Sequence, residues 1–214
     1  MNLSENDKRW FVVLVASNKT VTPLLRKLVP KGIEKLRDFL NDRLQNISTP
    51  CNIQTLTYSI YREDTYLKRL RFGNINDNDK VKMKEDYDYS INSLVDLAKL
   101  HLPYYLAKFA AFDNSLEMAA VLRLLGYEHY PFKVFESPNP SLDITSLAND
   151  VRESVRNPVS HYNEGSFTEH FLNKSFEKLM ALVKAVVLPE DQVNDVLDQL
   201  HKWQKNGTVS SVLI

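Results

Sequence analysis

Apolar residues recur at spacings of three and four along most of this chain, a pattern that leaves little choice but α-helices packed around a shared core. Between positions 29 and 47, Ile33, Leu36, Phe39, Leu40 and Leu44 mark one buried stripe. Ile144, Leu147, Val151 and Val155 mark a second, and Leu172, Phe176, Leu179, Val183 and Val186 a third. A last amphipathic segment carries Val193, Val196, Leu197, Leu200 and Trp203. Only 5 glycines occur in 214 residues, too few for an architecture that depends on many tight turns. The fold class expected is therefore all-α: an up-and-down helical bundle with additional N-terminal helices and a C-terminal helix.

Local signals set the expected boundaries. Thr22-Pro23 reads as an N-cap with proline at the first helical position, so a helix should open near residue 23, with Pro30 and Gly32 separating that turn from the stripe that follows. Residues 48–62 hold enough Thr, Ile and Tyr to support a short extended piece. Residues 66–86 are polar and rich in Asn and Asp, which reads as a long loop. Ile91 to Phe112 patterns as one long helix kinked at Pro103. Asn114 with Glu117 resembles a capping arrangement, Gly126 suits the end of the next helix, and Ser166 with Glu169 reads as a capping box. Pro189 separates the final helix. The organisation expected is an N-terminal helical extension over 1–22, a helical domain over 23–188, and a C-terminal helix and tail over 189–214.

Lys+Arg and Asp+Glu both number 27, so no global field draws the chain to nucleic acid or to an anionic membrane, and any such contact must come from a local patch. The single cysteine, Cys51, cannot form an internal disulfide and reads as an inert packed thiol. The apolar run from Trp10 to Ala16 is too short to span a membrane and poorly placed for a signal peptide, so a cytoplasmic location is expected. His101 and His170 stand isolated, with no cluster at ligand spacing, so neither a metal site nor a cofactor is expected.

One constellation carries chemistry. Arg156-Asn157-Pro158-Val159-Ser160-His161 puts a permanent cation and a titratable imidazole five positions apart, where two core helices meet. Their chemistry suits a phosphodiester. Residues five apart on an unbroken helix are separated by about 140°, and a helix that ends or kinks at Pro158 would let His161 fold back towards Arg156. The plain structural alternative is that Arg156 favours the helix dipole and His161 caps the last carbonyls.

The pattern Arg-Asn-x-x-x-His at the end of the penultimate core helix of a bundle resembles the signature of the HEPN superfamily. The surrounding stretch, SLDITSLANDVRESVRNPVSHYNEGSFTEHF, is similar to HEPN domains of animal multidomain proteins with zinc-finger ubiquitin-ligase or innate-immune NTPase modules. The resemblance spans roughly residues 20–188. It implies a metal-independent endoribonuclease for single-stranded RNA, in which His161 takes the proton from a 2′-hydroxyl and Arg156 stabilises the charge on the phosphate oxygens. Asn157 would hold His161 or the phosphate. A 2′,3′-cyclic phosphate product follows, DNA is not cut, and a homodimer with a composite cleft is implied, with further domains in a longer natural chain. HEPN domains that bind partners without cutting RNA make a non-catalytic adaptor in a signalling or defence receptor the alternative.

Arg152, one turn before Arg156, and Lys174 are candidates to add positive charge beside the cleft, although both could be ordinary surface residues. Asp150 and Glu153 lie near enough to orient a base, but no spacing rule selects either. Lys68, Arg69, Arg71, Lys80, Lys82 and Lys84 with Tyr66 and Phe72 mix cations and aromatics as a single-strand surface would, but Asp77, Asp79, Glu85 and Asp86 favour a solvated loop.

Overall fold

The structure is a computed structural model and describes residues 3–208. All regular structure among the described residues is helical: α1 (Glu5–Val15), α2 (Thr22–Gln45), α3 (Tyr58–Glu63), α4 (Leu94–Lys99), α5 (Met118–Leu125), α6 (Ile144–Val151), α7 (Asn157–Ser160), α8 (Glu169–Ala185) and α9 (Glu190–Thr208). The stripes predicted from spacing form the core. Leu25, Val29, Ile33, Leu36, Leu40 and Leu44 on α2 are all buried, as are Leu172, Phe176, Leu179 and Val183 on α8. α8 packs against α6 and α9, α1 against α8 and α9, and α5 between α2 and α6. One buried cluster runs from Val12 to Leu200.

Proline does not punctuate the long helices where its local rules say it should. A π-helical turn over Ala16–Val21 joins α1 to α2, and Val15, Ala16, Val21 and Thr22 all keep right-handed helical dihedrals. α2 does open at Thr22 with Pro23 in its first turn, but Thr22 is not an N-cap and no break precedes it: a helix already under way widens just before the proline. The same device recurs at Arg152–Arg156, between α6 and α7 and just before Asn157-Pro158. A proline in an α-helix lacks the N–H for its hydrogen bond, and its ring strikes the carbonyl four residues back. In both π turns the backbone N–H of the residue before proline reaches five residues back, Thr22 to Ser17 and Asn157 to Arg152, so the helix widens where the ring must fit. Thr22 adds its hydroxyl to the same Ser17 carbonyl, at 2.8 Å.

Pro30 and Gly32 likewise lie inside α2 and do not interrupt it. Gly32 serves close packing, because a Cβ there would meet the Phe135 ring at 2.1 Å. The long helix expected from Ile91 to Phe112 reduces to α4 and one turn of 3-10 helix at Tyr104–Leu106. Pro103 ends the helical run because the residue before a proline is driven to extended backbone, while Leu100, Leu102, Ala107 and Phe109 stay buried without helical geometry. Residues 48–62 contain the short α3 and no strand. Asn114 caps nothing and is bound instead by Arg26, while α8 takes Thr168 as its cap, two residues after the expected Ser166.

The 66–86 segment, expected as a loop, winds through four single 3-10 turns, at Leu67–Arg69, Phe72–Asn74, Asn78–Lys80 and Lys84–Asp86, and is anchored. Asn78 is buried and bonds the backbone of Phe72 and Asp88, and Asn74 donates to the carbonyls of Lys99 and Leu102 at 2.7 and 2.8 Å. Its aromatics face inward: Tyr66 and Phe72 belong to the core and offer no stacking surface. Tyr66 donates its hydroxyl to His101 Nε2 at 2.9 Å, since Nδ1 of that ring donates to the Leu97 carbonyl at 2.8 Å.

Desolvation holds the buried His101 imidazole neutral down to about 4, against an ordinary value of 6.5. The unfolded chain therefore binds a proton that the folded chain refuses between those values, and stability falls as pH drops through that window, by on the order of 3 kcal/mol. Urea unfolding across this range should show a shallower pH slope in His101→Gln than in the wild type. Parallel slopes would show that this ring does not set the acid sensitivity.

Candidate functional site

Arg156 is the last residue of the second π turn, and Nη1 of its guanidinium donates to Asn157 Oδ1 at 3.1 Å. Asn157 was expected to hold His161 or the phosphate; its side chain instead accepts from Arg156 and orients the arginine. Pro158 neither ends the helix nor turns the chain back: α7 continues to Ser160, and the backbone leaves helical geometry at His161. The His161 N–H is shared between the carbonyls of Asn157 and Pro158 at 3.1 and 3.2 Å, a C-cap role, and its imidazole is exposed. No hydrogen bond joins Arg156 to His161 among the described residues.

Arg156 lines an open cavity of about 530 Å³ whose opposite wall comes from the first π turn and the start of α2. Lys19 and Arg26 line it too, and Glu117 is the one carboxylate on its surface. Arg26 is fixed by the loop before α5, with Nε on the Leu116 carbonyl at 2.7 Å and its amino groups on Asn114. None of these three cations pairs with a carboxylate among the described residues. Asp113, close to Arg26, accepts from Ser115 instead. The Ser17 hydroxyl, on a residue 3% exposed at the cavity wall, has no hydrogen-bond partner. That hydroxyl is itself shielded from solvent, so it is the three cations without carboxylate partners that make the cavity one an anion with several oxygens would complete. Both π turns border this one cavity, and π-helical insertions gather at functional sites more than elsewhere.

The end of α7 is held in place from α1. Trp10 Nε1 donates to the Val159 carbonyl at 2.8 Å, and the Trp10 ring meets Tyr162 edge-on at 5.3 Å between centroids. Tyr162 stacks on Phe167 at 5.5 Å and donates its hydroxyl to Asp7. His161 thus sits between two clamped neighbours, Val159 and Tyr162. Lys19, Arg26, Ser17, Trp10 and Tyr162 were not legible beside the motif, because all but Tyr162 reach it from the other end of the chain.

The remaining candidates are engaged elsewhere. Arg152 pairs with Glu153 at 3.0 Å and Lys174 with Glu177 at 2.7 Å, and neither lines the cavity. Asp150 accepts from Lys178 at 2.7 Å. Among the described residues no three His, Cys, Asp or Glu side chains gather as a metal cluster, and no helix is long and apolar enough to cross a membrane. No protein-family profile, no curated protein and no solved structure matches the chain.

Hydrogen bonds from Tyr162 and then Ser4 hold the Asp7 carboxyl below its ordinary value of 3.8. The clamp is complete above that value and is lost as pH falls through the lowered one. Trp10 emission should report its release in acid, and Asp7→Asn should remove that change while leaving the neutral-pH spectrum close to wild type. An acid transition of unchanged position in the variant would mean that Asp7 does not control the clamp.

Proposed function

We propose that the chain is a HEPN-type, metal-independent endoribonuclease acting on single-stranded RNA. The observation that carries the reading is the Arg156 guanidinium, oriented by Asn157 and open to a cavity that also holds unpaired Lys19 and Arg26. A scissile phosphate seated there lies in the field of three cations with no carboxylate partner, which stabilises the negative charge that develops on its non-bridging oxygens. The His161 imidazole removes the proton from the 2′-hydroxyl, the 2′-oxygen attacks phosphorus, and the bond to the 5′-oxygen breaks. The same imidazolium returns the proton to the departing oxygen. The products are a 2′,3′-cyclic phosphate and a 5′-hydroxyl, and DNA, lacking the nucleophile, is inert.

Within one chain His161 is not part of the cavity lining. The reading therefore includes a homodimer in which α7 of a second copy faces the first, so that the imidazole and the cationic cavity meet across the contact. A cytoplasmic role in RNA defence or surveillance fits it. The exposed, separately capping His161 also favours a second reading, a non-catalytic module that binds RNA or a protein partner through the same face.

Incubating the purified chain with single-stranded RNA in EDTA separates the two. The enzyme reading expects cleavage to cyclic phosphate ends, slowed by about 10²–10⁴-fold in His161→Ala and by about 10²–10³-fold in Arg156→Ala, with helix content unchanged. RNA binding without cleavage by a stable dimer would leave the module. In either case three phosphate-facing cations imply that log affinity falls with log salt at a slope of about −2, shallower by about 0.7 in Arg26→Gln. A salt-independent affinity would remove the cavity from RNA binding.

A further inference from the structure

A second cationic cavity, of about 560 Å³, lies between the 69–71 turn, the end of α4 and α5. Arg69, Arg71 and Arg123 line it together with Tyr127 and His129, and no carboxylate does. None of the three guanidinium groups forms an ion pair or a side-chain hydrogen bond among the described residues. The acids nearest in sequence are committed elsewhere: Asp64 to Arg43 at 2.9 Å and Glu128 to Asn149 at 3.1 Å.

The arginines are placed by structure. α5 is buried at every position except Arg123, so a helix that is otherwise core delivers one half-buried cation to the cavity. Arg71 is fixed through its backbone, whose N–H donates to the Leu100 carbonyl at 2.9 Å, and Leu70 beside it is buried. Tyr127 stands in the field of all three: burial raises its hydroxyl, and Arg69, Arg71 and Arg123 each pull the other way. Three like charges converging without a counter-ion repel one another, and a multivalent anion removes that cost while using the planar donor forks of arginine.

We propose that this cavity binds a small phosphorylated ligand carrying a diphosphate, with the Arg69, Arg71 and Arg123 guanidinium groups on the phosphate oxygens. The volume suits a ligand of nucleotide size, since pockets for small molecules run to roughly 300–1,000 Å³. Tyr127 and His129, edge-to-face at 5.7 Å between centroids, supply an aromatic flank for a base or sugar. The site is separate from the Arg156 cavity, with which it shares no lining residue.

Calorimetric titration of the full chain with inorganic pyrophosphate, ADP and AMP tests it. Pyrophosphate and ADP should bind, AMP about tenfold or more weaker, and Arg69→Gln and Arg71→Gln should each weaken pyrophosphate about tenfold or more. These two variants lie on an exposed turn, so the test does not depend on Arg123→Gln, which alters a core helix. Arg156→Ala should leave the titration unchanged. ADP binding more tightly than pyrophosphate identifies a nucleotide that uses the Tyr127 flank; equal affinities identify the diphosphate alone. No binding of either at millimolar concentration, wild-type affinity in both arginine variants, or displacement of pyrophosphate by single-stranded RNA would overturn the proposal, the last by making the patch part of an RNA surface.

Discussion

Proline within a helix is the constraint on which the rest of this structure depends. Pro23 and Pro158 each fall in a helix that tertiary packing requires to continue, since Leu25 and Val29 follow the first and Val159 the second, all buried. A regular α-helix would suffer a clash and a missing hydrogen bond there, costing about 3 kcal/mol or more. The chain widens instead into a π turn before each proline, and the side chains in those turns are displaced from the positions a regular helix would give them. Ser17, Lys19 and Arg156 are therefore at the cavity because of how the backbone accommodates two rings.

The stripes on α2, α6, α8 and α9 could be read from sequence because burial on one face enforces the three-and-four spacing whatever the tertiary detail. The π turns could not. A proline after Thr or Asn carries the same local signal whether it opens a helix or interrupts one, and the choice between five- and four-residue hydrogen bonds is made by partners distant in sequence. The 91–112 segment failed for a related reason: Leu97, Leu100, Leu102 and Phe109 are buried, but irregular backbone between helices buries apolar side chains equally well. At the site, the Arg156-Asn157…His161 cluster was legible as a motif, whereas its cationic company was not. Arg26 and Lys19 share a cavity with Arg156 only through tertiary packing, a consequence of topology that spacing does not encode.

A net charge of zero concealed the electrostatic character of the surface. Many acids are spent locally, Asp77 on Lys80, Glu177 on Lys174, Glu34 on Arg37 and Glu5 on Lys8, each three residues apart on one turn. Such exposed pairs contribute little to stability. Their effect is to neutralise cations that a composition-based reading would count as open surface, while Lys19, Arg26 and Arg156 in one cavity and Arg69, Arg71 and Arg123 in another have no carboxylate partner among the described residues. The charge balance thus excludes a global field and is fully compatible with two local ones.

Under the proposed function, the Arg156 cavity has to be reconciled with the placement of His161 outside it. A general base must approach the proton it removes to hydrogen-bonding distance, and the clamps on either side of His161 restrict how its backbone can move to achieve that. Trp10 holds the Val159 carbonyl, and Tyr162 is stacked on Phe167 and bonded to Asp7, so moving the backbone at His161 towards its own cavity would mean breaking contacts that tie this segment to α1. In the proposed dimer the imidazole comes from a second copy, and the reading requires no such movement. Under the proposed function, the contacts of Trp10 and Tyr162 at the end of α7 therefore favour a site completed by a second copy over one completed by movement of His161.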